Sequence, residues 1–270
     1  MNRLHFEDRI AVITGAAAGI GFAVAQRFAE EGATVALLDQ NDKEGRAALD
    51  KIKAISPGSE FYRVDVGAET EMRATMATIS DRFRKVDHLV NNAGIVMVKT
   101  VEESSGEDWD RVMDVNVKSM FLAVKYLLPA LRLAAQPTIV NMGSVSGMVA
   151  QRGTPAYVAA KGAVVMLSKA LALDLAEDGI RVNCVCPGIT DTPMLRLHAN
   201  TTADPDRTLK ERCERVPLTR MLSPREIADA VLYLSGDRSS GITGTSLVVD
   251  AGYTAAAEWS RSSGKTQNTK

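Results

Sequence analysis

A tyrosine and a lysine stand four positions apart in a segment, residues 155 to 179, that consists mostly of alanine, valine, leucine and methionine. A helix over this segment would stack Tyr157 and Lys161 on one face, a turn apart. A phenol has an ordinary pKa of about 10, too high for an efficient base near neutral pH, and a neighbouring ammonium favours its ionised form. The pair could therefore take a proton from a hydroxyl group and return it in the reverse reaction.

A second group of residues could bind an anion. The segment TGAAAGIG, residues 14 to 21, follows the first predicted strand and opens the first predicted helix. Its glycines Gly15, Gly19 and Gly21, with Ile20 between the last two, allow a sharp turn and a close approach of the backbone to a ligand. The free N–H groups at the start of the helix would then face a pyrophosphate.

Asp39, which ends the second predicted strand, indicates which dinucleotide is bound. A carboxylate at this position can accept hydrogen bonds from an adenosine ribose and repels a 2′-phosphate. The glycine turn holds no arginine or lysine, and the nearest basic residue after Asp39 is Lys43. We therefore predict NAD rather than NADP as the cofactor. The alternative is that Asp39 caps the next helix, a role that Gln40 and Asn41 could share.

Short apolar strands alternate with helical patterns along the chain, and these elements must position the residues above. Strands apolar on both faces and separated by helices predict an α/β fold with a parallel sheet covered on both sides and right-handed crossovers. The strands are predicted at 9–14, 34–39, 60–66, 86–94, 137–144, 180–188 and 244–252. The helices are predicted at 19–31, 42–55, 69–83, 107–134, over the Tyr157 segment, and from a capping box of Ser223, Pro224 and Glu226.

The 270 residues predict one domain over 1–255, with a polar, irregular substrate lid at 189–222 and a flexible tail at 256–270. A net charge of -1 without a basic run argues against nucleic-acid binding. The three cysteines lack the spacing of a disulfide framework, and Cys184 and Cys186, in an apolar run, are expected to be small buried apolar residues. With neither a signal-peptide pattern nor an apolar run of membrane-spanning length, a soluble cytoplasmic protein is expected.

At this point the sequence resembles the short-chain dehydrogenase/reductase family, over residues 6 to 253. The resemblance implies a doubly wound, seven-stranded Rossmann-type sheet in the order 3-2-1-4-5-6-7, usually in homotetramers. It also implies a nicotinamide-dependent oxidation or reduction at a secondary alcohol carbon. The motifs that carry it are TGAAAGIG, DV at 65–66, NNAG at 91–94, Asn116, Ser144, YVAAK at 157–161 and PGITDT at 187–192.

The resemblance assigns roles to four catalytic residues. Tyr157 is the base in oxidation and the acid in reduction, and Lys161 also holds the nicotinamide ribose. Ser144 would hydrogen-bond the reacting oxygen, and Asn116 would hold a water that relays protons to Lys161. An asparagine in a helix can instead bond only to backbone, so the relay has a structural alternative.

The resemblance further implies cofactor contacts after several strands. Asp65 and Val66 would flank the adenine, whereas Asn92, Ala93 and Gly94 would run beneath the adenosine ribose. A third set would meet the nicotinamide amide, although each member could instead be a turn residue. This set consists of Gly188, Thr190 and Thr192.

The substrate pocket is expected to be lined by 95–98, 145–152 and 189–215, at the carboxyl ends of the strands. The polar residues expected to line it fit a small polar or cyclic hydroxylated substrate better than a long acyl chain. The alternative is that these residues are polar only because the lid is exposed. His198 is interpreted as lid surface. The candidates are Gln151, Arg152, Arg196, His198 and Asn200.

We therefore predict an NAD-dependent oxidoreductase that acts on a secondary alcohol or ketone, such as a sugar, polyol or cyclic hydroxylated compound, without a metal. A first alternative is a 3-oxoacyl-thioester reductase that uses NADPH, which Asp39 argues against. A second alternative is a non-catalytic NAD-binding regulatory protein. That interpretation expects a broken catalytic set, and here the set is intact.

Overall fold

The computed structural model describes residues 5–255, so the predicted tail at 256–270 lies outside the described residues. The strands are β1 Ile10–Thr14, β2 Thr34–Asp39, β3 Glu60–Arg63, β4 His88–Asn91, β5 Thr138–Met142, β6 Arg181–Pro187 and β7 Ser246–Val249. The helices are α1 Gly19–Glu30, α2 Asp42–Lys53, α3 Glu69–Phe83, α4 Gly106–Met113, α5 Ser119–Leu131, α6 Pro155–Asp174, α7 Pro193–Ala199, α8 Pro205–Glu214 and α9 Pro224–Ser235.

The seven strands form one parallel sheet in the order β3-β2-β1-β4-β5-β6-β7, which confirms the predicted topology. Strand β1 pairs with β2 on one side and with β4 on the other. The direction of winding reverses between these two neighbours. A crevice for ligands opens at such a reversal, outside the carboxyl ends of the strands.

Two apolar cores explain why the strands are apolar on both faces. Alternate residues of β1 point to opposite sides of the sheet, so that Ile13 packs with Phe28 of α1 and Val12 packs with Met76 of α3. All four side chains are fully buried. Burial of one such side chain contributes about 1.5–3 kcal/mol relative to leaving it exposed, and this energy holds the helices in place on both faces.

The lid at 189–222 is more regular than the sequence predicts, because it contains helices α7 and α8. The Thr192 hydroxyl accepts a hydrogen bond of 3.2 Å from the Leu195 N–H, and the Asp204 carboxylate accepts one of 3.0 Å from the Arg207 N–H. A proline follows each capping residue, the usual start of a helix. Both start signals stand in the sequence, but weak apolar periodicity hid the helices that follow.

The long helix predicted over 107–134 is also interrupted. A π-helical turn, Asp114–Lys118, separates α4 from α5. Such turns insert one extra residue and often occur at functional sites. This one carries Asn116, whose side chain it places in the interior of the protein.

Helix α6 runs for 20 residues and is long and apolar enough, by length and composition, to cross a membrane. The prediction that no apolar run reaches that length is therefore wrong. The core helix of a soluble protein passes the same test, and in this fold α6 packs against β5 and β6. The length and composition of α6 are thus weak evidence for a membrane span.

Candidate active site

Helix α6 places Tyr157 and Lys161 on one face, as predicted. The helix begins at Pro155, and Lys161 follows Tyr157 by one turn. The Lys161 Nζ lies 5.7 Å from the centre of the Tyr157 ring and donates a hydrogen bond of 2.7 Å to the carbonyl oxygen of Met142, at the end of β5. With only 3% of Lys161 exposed, this bond and the packing around it hold the ammonium in one position.

Burial shifts the pKa of both groups. It lowers the pKa of Lys161 from 10.5 to about 8, because the charged form loses its water. It also raises the pKa of Tyr157, and the neighbouring Ser144 hydroxyl opposes that rise. From the sequence, the ammonium is expected to favour the phenolate. In the structure, Ser144 is the influence that lowers the pKa of the phenol.

Ser144 stands immediately beyond β5, in extended backbone before a short 3-10 turn, Val145–Gly147. Its hydroxyl accepts a hydrogen bond of 3.0 Å from the Ser146 N–H. The hydroxyl is therefore oriented by the turn that follows it while its hydrogen remains free to donate. This geometry suits a group that orients the phenol or a reacting oxygen, not a nucleophile.

Asn116 lies behind the site rather than in it. Its side-chain amide accepts a hydrogen bond of 3.0 Å from the Ile95 N–H and donates one of 2.9 Å to the Ile95 carbonyl oxygen. It thus fixes the loop after β4. A Cβ atom at Gly94 would lie 2.6 Å from the Asn116 Oδ1 and 3.6 Å from the Lys161 Nζ, so both residues adjoin that glycine. The relay of protons through a water on Asn116 stays a prediction.

One cavity of about 620 Å³ brings the predicted residues together at the carboxyl ends of the strands. Gly21 and Asn116, also predicted as site residues, stand outside its lining and support it from behind. The predicted residues that line it are Gly15, Gly19, Ile20, Asp39, Asp65, Val66, Asn92, Ala93, Gly94, Ser144, Tyr157, Lys161, Gly188, Thr190 and Thr192.

The glycine turn fits a pyrophosphate. Gly15 has a φ of +65°, and a Cβ atom there would lie 2.8 Å from the Cα of Ala93. A Cβ atom at Gly21 would collide with the carbonyl oxygen of Gly15. The N-cap of α1, Ala18, makes no side-chain hydrogen bond, and the first turn holds no acidic residue. The N–H groups at the start of α1 therefore have no capping side chain and can bind an anion.

The carboxylate of Asp39 is aimed at the glycine turn. Its Oδ2 accepts a hydrogen bond of 3.1 Å from the Ala17 N–H, and its Oδ1 accepts one of 3.0 Å from the Asn41 N–H. The cap of α2 is Asn41 instead, whose side chain accepts a hydrogen bond of 3.2 Å from the Glu44 N–H. Asp39 is therefore free of the capping role and borders the cavity beside the turn.

The contacts expected at the two ends of the cofactor lie in loops. Strand β3 ends at Arg63, so Asp65 and Val66 follow it in a loop, where Asp65 forms an ion pair of 3.1 Å with Arg111. On the other side, the Thr190 hydroxyl donates a hydrogen bond of 3.1 Å to the Gly188 carbonyl oxygen. Both loops border the cavity.

Comparison with known proteins identifies the family. A family model described as enoyl-(acyl carrier protein) reductase matches residues 15–254. The chain is 39% identical over 248 residues to a cyclopentanol dehydrogenase of Comamonas sp., covering 92% of this chain and 98% of that protein. The chain belongs to the short-chain dehydrogenase/reductase family.

Other relatives extend this similarity. A meso-2,3-butanediol dehydrogenase of Serratia marcescens is 37% identical over 255 residues, covering 94% of this chain and 97% of that protein. The ligand-free structure of an aldohexose dehydrogenase of Thermoplasma acidophilum superposes with a TM-score of 0.87 at 33% identity, covering 96% of this chain and 99% of that one. As a short-chain dehydrogenase/reductase with named alcohol dehydrogenases among its relatives, the chain is an oxidoreductase that acts on alcohols.

In this short-chain dehydrogenase/reductase, the lid residues that line the cavity are not all the ones that the sequence predicts. His198, interpreted as lid surface, lines the cavity, whereas Arg196 forms an ion pair of 2.9 Å with Asp191 outside the lining. Among the lining residues that the sequence analysis did not single out are Arg212, Arg215 and Tyr253. The first two fall inside the range 189–215 expected to line the pocket, but no motif marks them.

Proposed function

We propose that the chain transfers hydride between NAD and a secondary alcohol or ketone, of the size of a sugar, a polyol or a cyclic hydroxylated compound. The observation that carries this is that Tyr157, Ser144 and Lys161 line the same cavity as the glycine turn. The relatives that act on cyclopentanol, butanediol and aldohexose support a small substrate.

In the proposed reaction, the bound nicotinamide supplies the hydride acceptor or donor. Tyr157 takes the proton from the substrate hydroxyl in oxidation and returns it to the oxygen in reduction. Ser144 donates a hydrogen bond to the reacting oxygen, and Lys161 supplies positive charge beside the phenol as it ionises. Burial of Lys161 makes this charge more effective, because little water surrounds it.

A turnover screen tests this proposal. We expect the purified protein to reduce NAD with cyclopentanol, butane-2,3-diol or an aldohexose, and to reverse the reaction with the ketone and NADH. The alternative of a 3-oxoacyl-thioester reductase is favoured by the description of the matching family model. If the protein oxidises NADPH with acetoacetyl thioesters and ignores all three alcohols, the alternative replaces the proposal. If it binds NAD but converts none of these substrates, the result favours the alternative of a non-catalytic NAD-binding regulatory protein.

Asp39 supports the choice of NAD over NADP. It borders the cavity near Gln40 and Glu44, and the nearby Arg111 is paired with Asp65. A 2′-phosphate at this point would meet carboxylates, and like charges in a desolvated site cost several kcal/mol.

We expect Asp39→Asn to reduce the preference for NADH over NADPH in kcat/KM by about 10- to 100-fold, because it removes the charge and keeps a hydrogen-bond acceptor. Steady-state kinetics with both cofactors measure this ratio. Asp42→Asn is the matched control, a partly exposed carboxylate on α2 that pairs with Arg46. An unchanged preference in Asp39→Asn would move the selectivity to other residues.

The proposed assembly is a cytoplasmic homotetramer. Its support is the apolar surface on α5 and α6, where Phe121, Met166 and Leu173 are exposed. Exposed large apolar side chains of this kind are typical of subunit interfaces. Multi-angle light scattering measures the mass in solution, and a monomer at micromolar concentration would contradict the assembly.

A further inference from the structure

The lid side of the cavity carries positive charge that the residues described here do not neutralise. Arg152, Arg212 and Arg215 all border the cavity. Within residues 5–255, none of these three guanidinium groups forms an ion pair with a carboxylate. The acidic residues of the lining lie at β2, at α2 and after β3, and they are Asp39, Glu44 and Asp65.

Other arginines of the same lid are paired. The ion pairs are Arg196 with Asp191 at 2.9 Å, Arg207 with Glu211 at 2.8 Å and Arg220 with Glu226 at 2.7 Å. Of these arginines, none borders the cavity. Among the described lid residues, the arginines that border the cavity therefore have no carboxylate partner, and those that do not border it form ion pairs.

Arg212 is the least solvated of the three cavity arginines. It is partly buried, whereas Arg152 and Arg215 are exposed. Its Nη2 lies 3.4 Å and 3.3 Å from the two ring nitrogens of His198, so the guanidinium rests against the imidazole. Burial and then the charge of Arg215 lower the pKa of Arg212, and burial and then the charge of Arg212 lower that of His198.

His198 is consequently neutral near pH 7 and contributes no charge of its own. A buried guanidinium without a counter-ion is unfavourable, and an anion that binds it recovers the lost solvation. The planar guanidinium group donates two parallel hydrogen bonds to a carboxylate or a phosphate. The positions of Arg212 and His198 thus provide a partly desolvated donor group on the cavity wall.

We infer that Arg212, assisted by Arg215, binds an anionic group of the substrate, a carboxylate or a phosphate carried away from the reacting carbon. The inference rests on the proposed function in taking the occupant of this cavity to be the alcohol substrate. It narrows the substrate class from small secondary alcohols to hydroxylated compounds that carry a negative charge.

Calorimetric titration of the NADH-loaded protein with unreactive ligands tests this site. The probes are cyclopentanecarboxylate, cyclopentyl phosphate and neutral cyclopentanecarboxamide, which has nearly the shape of the carboxylate. We expect at least one anion to bind about 10- to 100-fold more tightly than the amide, since a charge-assisted pair is worth that much. The tighter anion shows whether the natural group is a carboxylate or a phosphate.

Two substitutions on α8 make the test specific. We expect Arg212→Gln to remove most of the preference for the anion over the amide. We expect Arg207→Gln to retain it, because Arg207 is exposed, paired with Glu211 and outside the cavity lining. Arg215→Gln should reduce the preference by a smaller factor. Thermal unfolding of each variant with NADH verifies that it is folded.

Equal binding of anions and amide by the wild type would overturn the inference. So would a preference that survives in Arg212→Gln, or a loss of NADH affinity in that variant with the anion preference unchanged, since the arginine would then serve the cofactor. Turnover separates this result from the proposed function. If the protein prefers the anion but oxidises no secondary alcohol, the anion site is supported and the proposed function is contradicted. If it oxidises neutral alcohols but shows no anion preference, the proposed function is supported and the anion site is contradicted.

Discussion

Tyr157→Phe is expected to lower kcat by about 10²- to 10⁴-fold, the usual contribution of a positioned acid or base. The variant loses one oxygen atom and keeps the aromatic ring, so NADH binding should match that of the wild type. Ser144 would remain in place but would have no phenol with which to share a proton. Steady-state turnover and fluorescence titration with NADH measure the two quantities separately.

Tyr62→Phe is the matched control for this experiment. Its phenol donates a hydrogen bond of 2.8 Å to Glu60 on β3 and does not border the cavity. We expect its kcat to stay within about twofold of the wild type, as for a substitution away from the reacting atoms. Undiminished turnover in Tyr157→Phe would assign the proton transfer to another group.

Lys161→Met is expected to lower kcat by about 10²- to 10³-fold, because it removes the positive charge beside the phenol. At neutral pH, the free energy of unfolding of this variant should be at least as high as that of the wild type. Each pKa unit corresponds to about 1.4 kcal/mol, so a shift from 10.5 to about 8 means that the buried ammonium costs on the order of 3 kcal/mol. Losing the hydrogen bond to Met142 offsets only part of that gain.

The sign of the pH dependence follows from the direction of this shift. Between about pH 8 and 10.5, the unfolded chain keeps the proton on Lys161 and the folded chain has released it. The unfolded state then binds more protons, so this residue makes the wild type more stable as the pH rises through that window. The difference in unfolding free energy between Lys161→Met and the wild type should therefore shrink from pH 7 to pH 10.

Lys169→Met on the exposed face of α6 is the control for both effects. We expect it to leave kcat and the pH dependence of unfolding unchanged, because an exposed ammonium keeps its water. A Lys161→Met variant that retains wild-type turnover would remove the lysine from the mechanism. One that is much less stable at pH 7 would show that the ammonium stabilises the fold.

Features that depend on local sequence were predicted well. The parallel, helix-covered sheet follows from apolar strands that alternate with helices, whereas its strand order was implied by the family resemblance. The α9 capping box at Ser223 and Glu226 is present as predicted. The shared face of Tyr157 and Lys161 follows from helical spacing alone. In each case residues a few positions apart carry the information.

Features that depend on long-range packing were missed. The π-helical turn at Asn116 has no local signal, because a bond with Ile95, 21 positions earlier, accompanies it. The contact of Arg212 with His198 arises only because α7 and α8 fold over one cavity. The lid helices themselves had caps at Thr192 and Asp204, but their polar composition concealed them.

The central claim is that this chain moves hydride from a secondary carbinol carbon to a nicotinamide, with Tyr157 taking the proton. Isotope transfer tests it most directly, with NAD and three alcohols deuterated at the carbinol carbon, namely cyclopentanol, butane-2,3-diol and 3-hydroxycyclopentanecarboxylate. We predict that at least one alcohol gives NADH with deuterium on the nicotinamide ring and an equal amount of ketone, at a rate reduced about 10²- to 10⁴-fold in Tyr157→Phe. Unlabelled NADH, no NADH from any of the three alcohols, or an equal rate in the variant would contradict the claim.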